Sequence, residues 1–290
     1  MPVVEKPIFI VGTGRCGSSI FHLIMSHHPQ VAWLSRFCQT MPGGPRANRW
    51  ALRALDLAFA SPYLRKLIYP VEAYRFWDRC FPGFSEPCRD LLKGDVTPRT
   101  REVVRDAMAQ VLTSKRRRLL VKITGWPRIG FLKEIFPDAK FIHVYRDGRA
   151  VANSLLGSYW WSGWRGPDNW RWGELTPALK EKWEEYDRSF LALAAIQWEI
   201  LISAQEEAKR TISSDDLLEI RYEHLCQEPV ATFKSVLQFA DLEWSAAFQR
   251  TVESFLLRDQ NHKWREDLSA AQQEQLDACL RETLRKRGYA

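Results

Sequence analysis

The amino-acid sequence predicts an α/β fold: an open parallel sheet flanked by helices, with helical insertions. A fully apolar, β-branched run at residues 8–11 is typical of a strand that is buried on both faces, and further short runs rich in apolar residues recur along the chain. Segments with the helical spacing of apolar residues separate these runs, and a glycine-rich turn follows the first of them. Strands that alternate with helices in this way form mainly parallel sheets with right-handed crossovers.

Four strands are predicted, at residues 8–11, 119–123, 140–145 and 217–222. The spacing of apolar residues predicts helices at residues 18–25, 129–136, about 149–156 and 230–240. Residues 47–92 are rich in aromatic side chains and arginine and are predicted to be mostly helical or irregular, whereas residues 175–210 are predicted to form one long helix or two in series. We expect a single domain over residues 1–290, with insertions at about 41–92 and 157–210.

The composition is that of an ordinary globular protein, with 46% apolar and 27% charged residues. The net charge of +7 favours an anionic ligand, although by itself it does not indicate nucleic acid. Glu5 and Lys6 interrupt the N-terminal segment, and no apolar run approaches the length of a membrane span. We therefore expect no signal peptide, no membrane span and a cytoplasmic protein.

The six cysteines are predicted to be reduced thiols rather than metal ligands. None of them belongs to a CxxC pair, and no cysteine–histidine cluster has the spacing of a zinc site, so we expect no metal. Cys80 and Cys88 lie close together in the sequence, and whether they pair is left open.

A phosphate-binding loop is predicted between the first strand and the first helix. Its residues are Gly12, Thr13, Gly14, Arg15, Cys16, Gly17, Ser18 and Ser19. Glycines let the backbone wrap around an anion, and the N–H groups at the start of a helix point into such a loop. A nucleoside-triphosphate P-loop has lysine where this chain has Ser18, and here the basic residue is Arg15. The fold is therefore predicted to be P-loop-like, with a loop suited to an anion held without a metal ion; a plain glycine turn is the alternative.

A second phosphate site is predicted at residues 145–154, which end the third predicted strand and begin a helix. Ligands of open parallel sheets bind at the carboxyl ends of the strands, so Arg146 is expected at the same edge as the first loop. Ser154 follows about two helical turns later, and an arginine fork and a hydroxyl could hold one phosphate together. Asp147 could cap the helix or orient an arginine. A capped helix start with surface arginines is the structural alternative.

Together, the two segments resemble motifs of the sulfotransferase family, in particular of its bacterial and Golgi-type members with arginine in the first loop. Residues 12–19 match the family's 5′-phosphosulfate loop, and residues 146–154 match its 3′-phosphate segment, with Gly148 in place of proline. Three further segments have the family's usual look, at residues 136–143, 220–225 and 261–265.

The resemblance implies a sulfotransferase of the EC 2.8.2 type that moves a sulfuryl group from 3′-phosphoadenosine-5′-phosphosulfate to a hydroxyl or amine, in line and without a metal, leaving adenosine 3′,5′-bisphosphate. It implies that the 5′-phosphosulfate is held by Arg15, Gly17, Ser18 and Ser19, and the 3′-phosphate by Arg146 and Ser154. It further implies that Tyr222 lies near the nucleotide and that the segment with Lys263 and Trp264 closes over it. A carbohydrate, a lipid or a small metabolite is the expected acceptor, and neither the acceptor nor the oligomeric state is indicated.

Four residues are candidates for the chemistry itself. The resemblance implies that Arg15 serves the leaving group. Lys122 resembles the family lysine that faces the transferring group, although the proline that follows it comes late here, at Pro127; a lysine snorkelling from a strand end is the alternative. The acceptor needs a general base. The glutamate that relatives often carry after their second strand is missing, which leaves Asp95 and Glu72 as candidates; a surface or capping carboxylate is the alternative for each.

Tryptophans crowd the segment after the second phosphate site, with glycines between them. The candidates for an acceptor-binding lid are Trp160, Trp161, Trp164 and Trp170, with Trp172 in the same run. Tryptophan faces suit sugars, fused rings or lipid tails. The alternative is a buried aromatic cluster that braces two helices.

Two other functions remain open at this stage. A P-loop kinase-like nucleotide enzyme is disfavoured by Ser18 and by the lack of an obvious magnesium-holding carboxylate. A non-catalytic module that binds a polyanion would explain the charge and the tryptophans, but not two phosphate motifs in order.

Overall fold

One parallel sheet organises the protein. The computed structural model describes residues 2–41, 43–57, 61–85 and 88–289. Its strands are β1 Ile8–Gly12, β2 Val31–Trp33, β3 Arg118–Thr124, β4 Lys140–Tyr145 and β5 Leu217–Arg221. They lie in the order β2-β3-β1-β4-β5, and every pairing is parallel. All five residues of β1 are buried, because this central strand is covered on both faces.

Helices surround the sheet and occupy the long connections. Those of the described chain are α1 Ser18–Met25, α2 Arg36–Thr40, α3 Gly44–Leu55, α4 Ser61–Leu67, α5 Tyr74–Cys80, α6 Pro98–Ala109, α7 Ile129–Ile135, α8 Gly148–Leu156, α9 Pro177–Glu185, α10 Phe190–Lys209, α11 Tyr222–Gln227, α12 Pro229–Phe239, α13 Ala246–Ser254, α14 Lys263–Asp267 and α15 Ala270–Lys286. Short 3-10 turns lie at Lys93–Asp95, Gly163–Arg165 and Ser214–Asp216.

The predicted fold class is confirmed, and each of the four predicted strands is present with its ends within one residue. β2 was not predicted, because a strand of only three residues is too short for its apolar pattern to distinguish it from a helix or loop segment.

The long apolar segment predicted at residues 175–210 forms two helices, α9 and α10. The chain turns between them at Asp187 and Arg188, which both have φ of 53°. Two successive left-handed residues cannot continue a right-handed helix, and Ser189 then caps the second one. The region predicted as the first insertion, residues 41–92, carries α3, α4 and α5.

The sheet sets the position of the predicted site. β1 lies between β3 and β4, with Gly12 opposite Thr124 and Val11 opposite His143. The carboxyl ends of these strands therefore meet at one edge, where β1 leads into the glycine-rich loop, β3 into Gly125 and β4 into Arg146. The end of β5 adds Tyr222 to the same edge.

Two further predictions concern the cysteines and membrane-spanning segments. All six cysteines are free thiols, so Cys80 and Cys88 do not pair in this structure. Within the ranges that the structure describes, no helix combines the length and the apolar character that crossing a bilayer requires.

Candidate active site

The loop between β1 and α1 combines left-handed backbone with two glycines that have no room for a Cβ. Gly14 and Gly17 have φ of 79° and 89°, and Arg15 between them has φ of 55°. A Cβ on Gly12 would lie 2.5 Å from the carbonyl oxygen of Val144, and one on Gly17 would lie 2.3 Å from the ring of Tyr222. Successive turns of this kind, followed by a helix start, form concave anion sites lined by N–H groups. The loop therefore has the backbone geometry of a phosphate or sulfate site.

The two predicted phosphate segments meet at Arg15. Its Nε donates a hydrogen bond of 2.8 Å to Oγ of Ser154, on α8. Nη1 of Arg146 donates one of 3.2 Å to the carbonyl oxygen of Arg15. Residues that are more than 130 positions apart in sequence thus form one cluster of two guanidinium groups and a hydroxyl. Guanidinium forks of this kind bind phosphate and sulfate oxygens strongly.

Arg146 is held in place on two sides. Its guanidinium lies over the ring of Tyr222, 4.5 Å from the centroid. Its Nε donates to Oδ1 of Asn261 at 2.6 Å, and the amide of Asn261 donates in turn to Glu223. Asn261 was not among the predicted site residues, although it opens the segment 261–265 that resembles the family. The side-chain contact of that segment with the cluster is made by this asparagine.

A cavity of about 440 Å³ adjoins the loop. One wall is the loop itself, with Arg15, Ser18 and Ser19. The opposite walls come from residues 72–85, from the end of β3 and from residues 160–172. The cavity therefore extends from the predicted anion site to residues of three other segments of the chain.

Lys122 connects the loop to a carboxylate. Its Nζ lies 2.7 Å from Oγ of Ser19 and 2.7 Å from Oε1 of Glu72, and the residue is only 8% exposed. Glu72 also accepts hydrogen bonds from Oγ1 of Thr124 at 2.9 and 3.1 Å. The lysine does not snorkel to solvent. Its ammonium lies between a hydroxyl of the loop at residues 12–19, the proposed anion loop, and a carboxylate that lines the cavity.

The match to known proteins identifies the family. A family model described as "Sulfotransferase family" matches residues 7–246. The chain belongs to the sulfotransferase family.

Relatives of this sulfotransferase are distant. It is 20% identical over 250 residues to a protein-tyrosine sulfotransferase of Drosophila melanogaster, a match that covers 84% of this chain and 40% of the relative. It is 24% identical over 179 residues to the omega-hydroxy-beta-dihydromenaquinone-9 sulfotransferase Stf3 of Mycobacterium tuberculosis, covering 53% of this chain and 45% of the relative. The chain thus spans less than half the length of these two curated relatives.

Solved structures confirm the fold. The sulfotransferase STF9 from Mycobacterium avium matches with a TM-score of 0.59 at 19% identity, covering 98% of this chain and 77% of that one. The sulfotransferase domain from the curacin biosynthetic pathway matches with a TM-score of 0.52 at 11% identity, covering 96% and 98%.

The two candidate bases of the sulfotransferase are in different surroundings. Glu72 lines the cavity beside Lys122. Asp95 is absent from the cavity lining; its carboxylate pairs with Arg89 at 2.6 Å and accepts a hydrogen bond from the backbone N–H of Leu92. The hydrogen bond from Arg89 lowers the pKa of Asp95. Asp95 therefore has the surroundings of a capping carboxylate on a 3-10 turn, which was the structural alternative for it.

The two C-terminal residues that the resemblance implies close over the nucleotide, Lys263 and Trp264, also have different surroundings. Trp264 is buried, and its ring packs under the guanidinium groups of Arg149 and Arg265, at 4.9 and 4.7 Å. Lys263 is exposed, and neither residue lines the cavity. Asp147 fulfils both roles considered for it, because it caps α8 and pairs with Arg149 at 2.7 Å.

The tryptophan cluster is divided between two environments. Trp160 and Trp161 line the cavity, and so do Trp172 and Trp126. Trp164 is 58% exposed and lines a neighbouring groove that Trp161 also borders. Trp170 is buried, donates from Nε1 to the carbonyl oxygen of Gly173 at 2.6 Å and packs with Leu193 and Ile196 of α10. Trp170 therefore belongs to a buried aromatic cluster, whereas Trp160 and Trp161 lie where an acceptor in the cavity would contact them.

Proposed function

We propose that the protein transfers a sulfuryl group from 3′-phosphoadenosine-5′-phosphosulfate to a hydroxyl or amine of an acceptor that enters the cavity, without a metal ion. The observation that carries the proposal is the joining of both phosphate segments at Arg15, next to a cavity with a carboxylate and a lysine.

The donor site has the groups that such a nucleotide needs. The 5′-phosphosulfate is proposed to lie on the loop of residues 12–19, held by N–H groups, by Ser18 and Ser19 and by Arg15. The 3′-phosphate is proposed to bind Arg146 and Ser154. Arg146 forms hydrogen bonds through Nε and Nη1, which leaves Nη2 available to a ligand within the described part of the chain. The ring of Tyr222 stacks against this guanidinium.

When bound, the donor supplies the sulfuryl group, and adenosine 3′,5′-bisphosphate leaves with the electron pair of the broken S–O bond. Negative charge then grows on the phosphate oxygens at the loop. Fixed positive charge and N–H groups at that position stabilise the transition state, and removal of one such donor costs on the order of 3 kcal/mol. Arg15 and Lys122 carry this role in our proposal.

Glu72 is proposed as the general base. The acceptor O–H or N–H bond breaks as its proton moves to the Glu72 carboxylate, and the freed electron pair forms the new bond to sulfur. Lys122 and Thr124 hold the carboxylate within the cavity. The Lys122 ammonium also stands between the carboxylate and the loop, so that the negative charges of base and donor do not face each other directly.

The acceptor cannot be taken from relatives, since the two curated relatives are named for unlike acceptors, a protein tyrosine and a hydroxylated dihydromenaquinone. The walls formed by Trp126, Trp160, Trp161 and Trp172 support a ring-bearing acceptor, because indole faces contribute large apolar contacts to such ligands.

Calorimetric titration tests the donor site. We expect adenosine 3′,5′-bisphosphate to bind with micromolar affinity independently of magnesium, and Arg146→Ala to weaken binding by roughly 10- to 150-fold, the loss typical of a charge-assisted hydrogen bond. Arg99→Ala is the matched control, because it removes an exposed arginine of α6 that does not line the cavity. Absence of bisphosphate binding, or a preference for magnesium-ATP, would overturn the proposal in favour of a kinase-like enzyme.

A further inference from the structure

The cavity is strongly cationic. Its lining carries five positively charged side chains, Arg15, Arg75, Lys122, Arg128 and Arg171, against the two carboxylates Glu72 and Asp78. Arg15 belongs to the anion loop, and Lys122 is neutralised by Glu72. Both oxygens of Asp78 accept hydrogen bonds from Ser85, at 2.8 and 2.6 Å. Three arginines are therefore left without an evident role in the proposed transfer.

Arg128 is a buried cation without an ion pair. It is 1% exposed, and none of the described carboxylates lies within salt-bridge distance of its guanidinium. Nη1 and Nη2 donate to the carbonyl oxygens of Trp126 and Phe84, each at 2.8 Å, and the group stacks over the Phe84 ring at 4.5 Å. Its Nε, which is also buried, has no hydrogen-bond partner in the described structure. Burial lowers the pKa of Arg128, and attraction by Asp90, Glu72 and Asp78 offsets only part of that shift. A buried charge without a direct ion pair is costly to a fold.

The backbone at Arg128 is strained as well. Its φ is 52°, in the left-handed region that bulky residues rarely adopt. The nearest acidic neighbour, Asp90, accepts a hydrogen bond from the backbone N–H of Arg128 at 2.7 Å and so fixes this conformation. Strain of this kind clusters at functional sites, where surrounding contacts hold it. The fold therefore holds a buried positive charge, with no direct ion pair to a described carboxylate, beside the cavity.

Arg75 and Arg171 add two exposed charges to the cavity lining. Both are exposed, both line the cavity, and within the described ranges neither forms an ion pair. They come from opposite insertions, Arg75 from α5 and Arg171 from the tryptophan-rich segment. Exposed arginines attract an anion to a site, and a buried charge in a low-dielectric wall acts on it more strongly than an exposed one.

We infer that the acceptor of this sulfotransferase carries an anionic group of its own, a carboxylate, sulfate or phosphate, which Arg75, Arg128 and Arg171 attract at the far side of the cavity from the anion loop. The inference rests on the proposed function. The reacting hydroxyl or amine then faces Glu72, and the tryptophans contact the ring portion between the two ends.

The test compares two probes that differ only in charge: 3-(4-hydroxyphenyl)propanoate and its primary amide. Both are titrated calorimetrically into the full chain saturated with adenosine 3′,5′-bisphosphate. We expect the carboxylate to bind at least tenfold more tightly than the amide. The preference should fall below about threefold in the Arg75→Ala/Arg171→Ala double variant, with the affinity for the amide unchanged. It should also fall as salt rises, because exposed charges are screened.

The controls separate folding and donor binding from acceptor charge. Arg36→Ala/Arg99→Ala removes two exposed arginines that do not line the cavity, and it should keep the preference. Arg128→Met should also reduce the preference; should it fail to fold, the double variant carries the test alone. Equal affinity for the two probes, tighter binding of the amide, or no binding of either would overturn the inference. Failure of the bisphosphate itself to bind would instead overturn the proposed function.

Discussion

The two halves of the candidate site are built in different ways. The donor half consists of turns at the ends of β1 and β4 and of the helices that follow them, so its residues fall into two short sequence segments. The acceptor half combines residues from α5, from the end of β3 and from a tryptophan-rich loop nearly 100 residues away from α5. The first half depends mainly on backbone geometry, and the second depends on how distant side chains pack. Substitutions should therefore affect the two halves in separable ways.

The largest effect is expected for the proposed base. Glu72→Gln keeps the shape of the side chain but removes the proton acceptor, so turnover should fall by about 10²- to 10⁴-fold. The affinity for adenosine 3′,5′-bisphosphate should change little, since Glu72 is not part of the loop. Single-turnover rates and calorimetry measure the two quantities.

Asp95→Asn is the matched comparison for that experiment. Because Asp95 lies on an exposed turn with Arg89, its neutralisation should leave turnover within about twofold and cost under about 1 kcal/mol of stability, as for other surface pairs. A loss in Asp95→Asn comparable to that in Glu72→Gln would mean that the base has been assigned to the wrong carboxylate.

Substitutions of two tryptophans distinguish a role in packing from a role in acceptor binding. Trp170→Ala removes a buried ring that packs against α10 and should destabilise the fold by about 3–5 kcal/mol. Trp160→Ala removes a half-exposed ring at the cavity and should leave the melting temperature nearly unchanged while raising KM for the acceptor. Thermal unfolding and steady-state kinetics compare them. Equal destabilisation by both would show that the segment acts only as a structural brace.

Alanine substitutions of two glycines of the loop, Gly14 and Gly17, should have smaller effects, but they differ in one contact only. Both have positive φ, so alanine strains either backbone by about 1–2 kcal/mol. A Cβ on Gly17 also collides with Tyr222, the ring that supports Arg146, whereas one on Gly14 meets no atom within 4 Å. Gly17→Ala should therefore weaken bisphosphate binding at least tenfold more than Gly14→Ala does, measured by titration. Similar losses would mean that the ring of Tyr222 does not position the donor site.

The smallest expected effect is a pH dependence of folding stability caused by Asp90, which accepts a hydrogen bond from the backbone N–H of Arg128 beside the acceptor half. Burial raises the pKa of Asp90 from 3.8 to about 6, so ionisation of this group opposes folding. The stability that it contributes is present below about pH 4 and is lost as pH rises through 6. Asp90→Asn lacks this titration and keeps an oxygen that can accept from the N–H of Arg128. The variant should gain stability relative to the parent between pH 4 and 7, on the order of 2 kcal/mol. A constant difference in unfolding free energy across that range would contradict the assignment.

Much of the donor half was predictable because its determinants are local. Glycines at positions 12, 14 and 17 are needed by the turn itself, and α1 begins at Ser18 as its apolar spacing predicts. Strands of five to seven residues rich in apolar side chains can be recognised in the sequence, which is why β1, β3, β4 and β5 were predicted while the three-residue strand β2 was not.

The acceptor half was predictable only in outline. The tryptophan-rich run indicated an aromatic surface, but nothing in it distinguishes Trp160, which lines the cavity, from Trp170, which packs in the core. Glu72 and Asp95 were equal candidates until folding brought Glu72 to Lys122. Nothing in the sequence indicated a role for Arg128. Its lack of an ion pair depends on which described residues surround it in the folded protein.

By itself, the sequence predicted four of the five strands, the glycine-rich loop and the arginine segment at residues 145–154, since turn chemistry and apolar periodicity act over a few residues. The tertiary structure decided that Arg15 contacts Ser154 and Arg146, that Asn261 holds Arg146, and which carboxylate faces the cavity. These outcomes depend on contacts between segments far apart in the chain, and only the packing of helices on the sheet fixes such contacts.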